Sequence, residues 1–226
     1  MTLDSDRYLQ VNAAALINHG GVIAFRTDTF YGLGVDPFNK MALQKLISLK
    51  SREEGKPILV LIASVADVDR FISKRSDLFD QVAERFWPGP LTLVGQARKE
   101  LPNELTAGTG TIGVRLPNDD GVRDLVRSCG GALTATSANP SGRPPARTGK
   151  HVERYFPIGV DLIVDGGDVG NVEASTVLDV TGAEPRLIRE GAITKTELMK
   201  MFSLTREAGG SIKPWVKRSE TPGKSE

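Results

Sequence analysis

Short apolar runs alternate along the chain with stretches of helical spacing. VIAFR (22–26), PILVLI (57–62), LTLVGQ (91–96), TIGVRLP (111–117), ALTAT (132–136), DLIVD (161–165), STVLDV (175–180) and RLIR (186–189) have the length and branched side chains of strands. Helices are predicted over 5–18, capped by Asp4 or Ser5 and stopped by Gly20-Gly21, and from Asn39 onward, where Leu43, Leu46 and Ile47 recur on one face. Others are predicted around 64–73, 76–86, 119–129, 148–155 and 194–202. Residues 27–38, TDTFYGLGVDPF, read as a polar, glycine-rich loop. This alternation predicts a single α/β domain whose twisted sheet is flanked by helices. The sheet should be mixed parallel and antiparallel, because the last two strands flank a turn, TGAEP, and form a hairpin. The domain is expected over 5–202, with a polar, flexible C-terminal tail over 203–226.

Composition narrows the function. Hydrophobic residues are 39% and charged residues 25% of the 226, which excludes disorder over most of the chain and excludes a coiled coil. The 29 Lys and Arg against 28 Asp and Glu leave a net charge of +1, too little for a whole-molecule field that draws nucleic acid. A lone cysteine, Cys129, excludes a disulfide framework and any multi-cysteine metal site. The two histidines, His19 and His151, have no zinc-enzyme spacing, so no protein metal site is expected. The longest apolar run, Ile58 to Val65, is far short of the ~20 residues that cross a bilayer. With no signal-like N-terminus, the expected location is the cytoplasm.

Two familiar patterns fail on context. Gly108-Thr109-Gly110-Thr111-Ile112-Gly113 matches GxGxxG, but a strand follows it where a dinucleotide fingerprint needs a helix. Gly149-Lys150 resembles the end of a phosphate-binding loop, but Pro144 and His151 occupy its glycine and hydroxyl positions. Other features survive. Arg26 to Gly34 places hydroxyls, Asp28 and glycines directly after a strand. Lys50, Arg52 and Lys56 fall where a helix gives way to a buried strand, which suits anion binding. Trp87-Pro88-Gly89-Pro90-Leu91-Thr92 reads as structural, a helix stop with an aromatic anchor before a strand. Thr111 and Arg115 share one strand face, and an arginine between Val114 and Leu116 requires a carboxylate or a ligand beside it. Ser137 and Asn139 follow another strand, Ser175 opens one and Arg189 closes one. Cations and hydroxyls at several strand ends, without a nucleophile or metal cluster, suit a reaction whose substrates supply their own nucleophile, such as nucleotidyl transfer from ATP.

TDTFYGLG, KSR followed by GKPI, WPGPLT, TIGVRLP, TSANPSG, STVLDV and RLIREG occur in this order. Over roughly 8–200 the sequence resembles the YrdC-like family of threonylcarbamoyl-AMP synthases. The resemblance implies a YrdC-like fold with a concave basic cavity. It implies synthesis of threonylcarbamoyl-adenylate and pyrophosphate from L-threonine, bicarbonate or CO2, and ATP with Mg2+, for threonylcarbamoyl modification of a tRNA adenosine. By resemblance Lys50 and Arg52 act on the phosphates as catalytic groups. Arg52, Lys56, Thr111, Ser137, Asn139, Pro145 and Arg189 would bind ATP, and Thr29, Arg115 and Ser175 would bind threonine. Many members have Pro at Arg26, and some longer members have a threonine-contacting His at Leu61. The chain is expected to be the short, single-domain type, working with tRNA-modification partner proteins. Two alternatives are a non-catalytic member that binds tRNA or double-stranded RNA and a carbamoyl-adenylate former for metal-cofactor assembly; the net charge disfavours the first and the chain length the second.

Overall fold

A computed structural model describes residues 3–51 and 55–207, and side chains within 8–51 and 55–203. Helix α1 (Leu3–Asn18) leads into an antiparallel pair, β1 (Ile23–Arg26) and β2 (Tyr31–Gly34). Helix α2 (Lys40–Lys50) follows, capped by the Asn39 side chain, which accepts from Ala42 N, and ended by Ser51 at a left-handed φ of 47°. Strand β3 (Val60–Ile62) and a 3-10 turn (Val65–Arg70) precede α3 (Asp77–Phe86), whose cap Ser76 accepts from Phe79 N. Then come β4 (Leu91–Gln96), a short α4 (Asn103–Thr106), β5 (Thr111–Arg115), α5 (Asp120–Ser128), β6 (Ala132–Thr134) and β7 (Thr136–Ser137). The chain continues through α6 (Gly149–Tyr155), β8 (Leu162–Val164), β9 (Thr176–Asp179), β10 (Arg186–Arg189) and α7 (Lys195–Glu207).

The strands form two mixed sheets rather than the single sheet expected. One has the order β7-β2-β1-β8 and the other β10-β9-β4-β5-β3-β6. The chain crosses between them at Ala135: β6 pairs with β3, and β7 pairs with β2. Ala135 N still donates to Leu59 O in the larger sheet, and Val35 N donates to the Thr134 hydroxyl, so the crossing leaves neither amide unpaired. Strands β9 and β10 are the antiparallel pair expected.

Residues 31–34 belong to a strand, not to the loop that their glycines suggested. Gly34 pairs with Ile23, and a Cβ there would fall 2.7 Å from the Phe25 ring, so the glycine is what allows the two strands to close. Helix α7 runs past Phe202, a buried residue, to Glu207. The tail beyond Glu207 lies outside the described residues, as does Arg52.

Strands buried on both faces explain the unbroken apolar runs. On β1, Ile23 and Phe25 pack with Ala13 and Ile17 of α1 and with Leu125 of α5, while Ala24 faces the larger core with Leu33 and Val60. On the larger sheet, Leu91, Leu93, Ile112, Val114 and Leu178 point into that core. Period-2 alternation sends their neighbours Thr92, Val94, Gly113, Arg115 and Val177 to the opposite face, where the cavity lies.

Candidate active site

That face of the larger sheet forms the floor of a cavity of about 680 Å³, within the range of small-molecule sites. Strand β2 and the segment before it supply the other wall through Thr29, Tyr31 and Gly32. The loop after β7 closes a side through Pro145. Among the described residues the lining carries three guanidiniums, Arg115, Arg186 and Arg189, and no carboxylate.

Arg115 is the largest fully buried side chain, at 2% exposure. Its Nη1 lies 3.1 Å from Asp28 Oδ1, and Asp28 Oδ2 accepts from Asn118 N at 3.2 Å. Thus, of the carboxylate or ligand expected beside Arg115, a carboxylate is present, from the segment between β1 and β2. The contact is an ion pair without good hydrogen-bond alignment. Arg115 Nε and Nη1 and Asp28 Oδ1 have no hydrogen-bond partner among the described residues. Burial pulls the guanidinium pKa below its usual value, Asp28 opposes that, and the positive charge of Arg189 adds to it. Arg189 is itself lowered by burial. It donates through Nη2 to Ser175 O at 2.8 Å and to Ser175 Oγ at 3.2 Å. Ser175 Oγ lies 3.2 Å from the Thr92 hydroxyl, and Thr29 lies 3.1 Å from the Thr27 hydroxyl. Two like charges therefore meet among hydroxyls, and the carboxylate of Asp28 pairs with one of them, Arg115. Arg186, by contrast, is neutralised by Asp179 at 2.6 Å. Burial alone would raise the Asp179 pKa, but hydrogen bonds from Thr181 and Arg186 outweigh it and hold the carboxyl low. The pairing of Arg115 and Arg186 leaves the cavity less basic than three guanidiniums suggest.

Seven of the residues singled out in the sequence line this cavity: Thr29, Thr111, Arg115, Ser137, Pro145, Ser175 and Arg189. Lys50 stands behind it. Its buried ammonium donates to Asn139 O at 2.9 Å and to Ser137 O, fastening the loop after β7 to the end of α2. Asn139 is also turned into that loop: Nδ2 donates to Pro140 O at 3.0 Å and Arg143 O at 2.6 Å, while its buried Oδ1 has no partner among the described residues. Lys56 is exposed and is not part of the lining.

Several lining groups escaped the sequence reading. Thr92 was hidden in a segment read as structural, yet a threonine between Leu91 and Leu93 in a core strand is the same signal that exposed Arg115. Tyr31, read with a loop, donates to Asp165 and to Gly167 O at 2.8 Å, and accepts from Gly166 N at 3.1 Å. Burial and the Asp165 charge raise the phenol pKa, and the Tyr31 hydroxyl in turn holds Asp165 below the usual carboxylate range. Trp87 fulfils its structural reading: its Nε1 donates to Leu91 O at 2.6 Å, and its ring meets Phe79 edge-on.

The sequence profile of the Sua5/YciO/YrdC family, described as Telomere recombination, matches residues 15–191. The chain belongs to this family. It is 38% identical to a threonylcarbamoyl-AMP synthase of Thiobacillus denitrificans over 79% of this chain and 95% of that protein. It is 32% identical to that of Pyrococcus abyssi over 93% of this chain, and 35% identical to that of Bacillus subtilis over 82%. The chain spans 62% and 54% of those two longer proteins. The crystal structure of P. abyssi Sua5 complexed with L-threonine matches with a TM-score of 0.81 at 33% identity, over 85% of this chain and 56% of that one. Among the described residues, no helix is long and apolar enough to cross a membrane.

Proposed function

We propose that this chain is a threonylcarbamoyl-AMP synthase, joining L-threonine, CO2 or bicarbonate, and ATP into threonylcarbamoyl-adenylate and pyrophosphate. The observation that carries the reading is the meeting of buried Arg115 and the more exposed Arg189 with the buried hydroxyls of Thr29, Thr92 and Ser175 in one cavity. The family relatives named as this synthase support it.

The reaction asks little covalent chemistry of the protein. The threonine amine attacks CO2 and loses a proton, giving a carbamate. A carbamate oxygen then attacks the α-phosphorus of ATP, and the bond to the β-phosphate oxygen breaks to release pyrophosphate. The difficulty is electrostatic, because a dianionic N-carboxy-threonine must approach a polyanionic nucleotide. Two unit charges 4 Å apart repel by about 4 kcal/mol at an effective dielectric of 20. Fixed guanidiniums offset that repulsion without reorganising as the charges approach. In this reading Arg115 takes the threonine carboxylate, with Thr29 and Ser175 beside it. Arg189, Thr111, Ser137 and Pro145 meet the nucleotide. Lys50 acts by holding the Ser137 loop, together with Asn139. Arg52 and Lys56 are proposed to meet the phosphates.

Mg2+ enters as the ATP complex. Among the described residues the lining offers it hydroxyls and no carboxylate, which fits an ion held by phosphate oxygens and water better than one held by a protein cage. The product would pass to a tRNA-modifying transferase, and the cytoplasm is the proposed location.

The test is pyrophosphate release by the purified chain with each co-substrate omitted in turn. The reading expects release only with L-threonine and bicarbonate together. Equal release without threonine overturns it. The structure offers no observation that favours the non-catalytic, RNA-binding alternative.

A further inference from the structure

The glycine–threonine motif at 108–113 failed as a dinucleotide fingerprint, yet its residues recur in the cavity. Thr109, Thr111 and Gly113 all line it, together with Arg115 of the same strand. They form a graded series: Thr109 is exposed, Thr111 half-buried, and Gly113 and Arg115 buried. Gly108 and Gly110, at φ of 68° and 70°, fold the outer lip so that the Thr109 and Thr111 hydroxyls meet at 3.0 Å. From Thr111 to Arg115 the strand covers about 13 Å, at ~3.3 Å per residue. Gly113 is the midpoint.

A side chain there would enter the cavity. A Cβ on Gly113 would stand 3.0 Å from Thr92 Cγ2, 3.8 Å from Val94 Cγ2 and 3.9 Å from Leu59 Cδ1, all three of which line the same space. Its backbone is outside the left-handed region, so the conformation does not demand glycine. What the position lacks is volume, between a buried guanidinium that suits the amino-acid carboxylate and an outer hydroxyl pair that suits the nucleotide.

We propose that Gly113 is a positioning residue whose bare backbone keeps open the point on the cavity floor where the carbamate of the amino acid meets the α-phosphate of ATP. This deepens the synthase reading and rests on it. A methyl at this point leaves Arg115 and the Thr111 lip in place and holds the reacting atoms apart. Misplacement by about an ångström costs on the order of 10²-fold in rate.

The experiment compares wild type, Gly113→Ala and the double variant Gly113→Ala/Thr92→Ser. The double variant removes the methyl that a new Cβ would crowd and keeps the hydroxyl. Calorimetry measures binding of L-threonine alone and of a non-hydrolysable ATP analogue alone; pyrophosphate release gives kcat. The expected result is that both variants bind each ligand within about threefold of wild type and turn over about 10²-fold more slowly. Turnover of Gly113→Ala within about threefold of wild type overturns the proposal. So does recovery in the double variant, which would make crowding of Thr92 the cause. A loss of binding of one ligand that accounts for the whole loss in kcat/KM also overturns it, by making Gly113 the wall of a single subsite. Wild type that needs no threonine for pyrophosphate release defeats the synthase reading itself, a separate outcome read from the wild-type arm alone.

Discussion

Replacing Asp28 with Asn tests how the buried charge at the bottom of the cavity is held. The substitution keeps the side chain's size and an oxygen for Asn118 N, and removes only the charge 3.1 Å from Arg115 Nη1. The side chains of Arg115 and Asp28 are 2% and 13% exposed, so little water is available to replace the lost partner. Removing one member of a buried ion pair costs about 3–5 kcal/mol, and the partial exposure of Asp28 places this case near 3. With an m-value of about 2 kcal/mol per molar urea, the unfolding midpoint should fall by roughly 1.5 M. The double variant Asp28→Asn/Arg115→Met should recover most of that loss, because neither charge is then stranded. L-Threonine, at a concentration that saturates both proteins, should raise the midpoint of Asp28→Asn more than that of wild type, since its carboxylate meets a guanidinium with no competing anion. An unchanged midpoint in Asp28→Asn, or a double variant as unstable as the sum of its singles, would refute the reasoning.

Four further outcomes follow from the same geometry. Arg189→Ala should leave the fold intact and lower kcat/KM by about 10²–10³, the scale of a lost charge-assisted contact; turnover near wild type would remove it from the site. Arg52→Ala, tested by the same assay, should lose a similar factor, and turnover near wild type would remove Arg52 from the site. Lys50→Met breaks the bonds to Ser137 O and Asn139 O and should cost about 1.5–3 kcal/mol per bond to the charged donor, read as a lower urea midpoint together with slower turnover. Tyr31→Phe should destabilise the protein near neutral pH, by an amount that shrinks in acid. Asp165 is held below its unfolded pKa by the Tyr31 hydroxyl, so this contribution is present above about pH 4 and is lost as pH falls through the lower folded value. Urea midpoints of both proteins from pH 7 to pH 3 check it, and a difference that grew towards acid would contradict it.

Much of the fold was legible because strands buried on both faces leave unbroken apolar runs. The hairpin of β9 and β10 announced itself by its turn residues. Strand β2 did not, because Gly32 and Gly34 erase the alternation that marks a strand and Gly34 was needed against Phe25. The division into two sheets was also hidden, since it depends on one residue, Ala135, where the ladder changes partner. In the site, Arg115 was visible as a charge among core residues, and its demand for a partner was met by Asp28. What separates Lys50 from the cavity wall is a set of hydrogen bonds to carbonyls far along the chain, and no local pattern encodes them. The failed motif at 108–113 shows the reverse: its spacing was read for the wrong ligand geometry, while its hydroxyls and final glycine do line the cavity.

The central claim is that one cavity brings an amino-acid carbamate and a nucleotide together. Mass spectrometry of the products formed from isotope-labelled bicarbonate, L-threonine and ATP tests it most directly. The account expects an adenylate carrying both the labelled carbon and threonine, absent when either is withheld and strongly reduced in Arg115→Ala. An unlabelled adenylate, or AMP formed at the same rate without threonine, would contradict it.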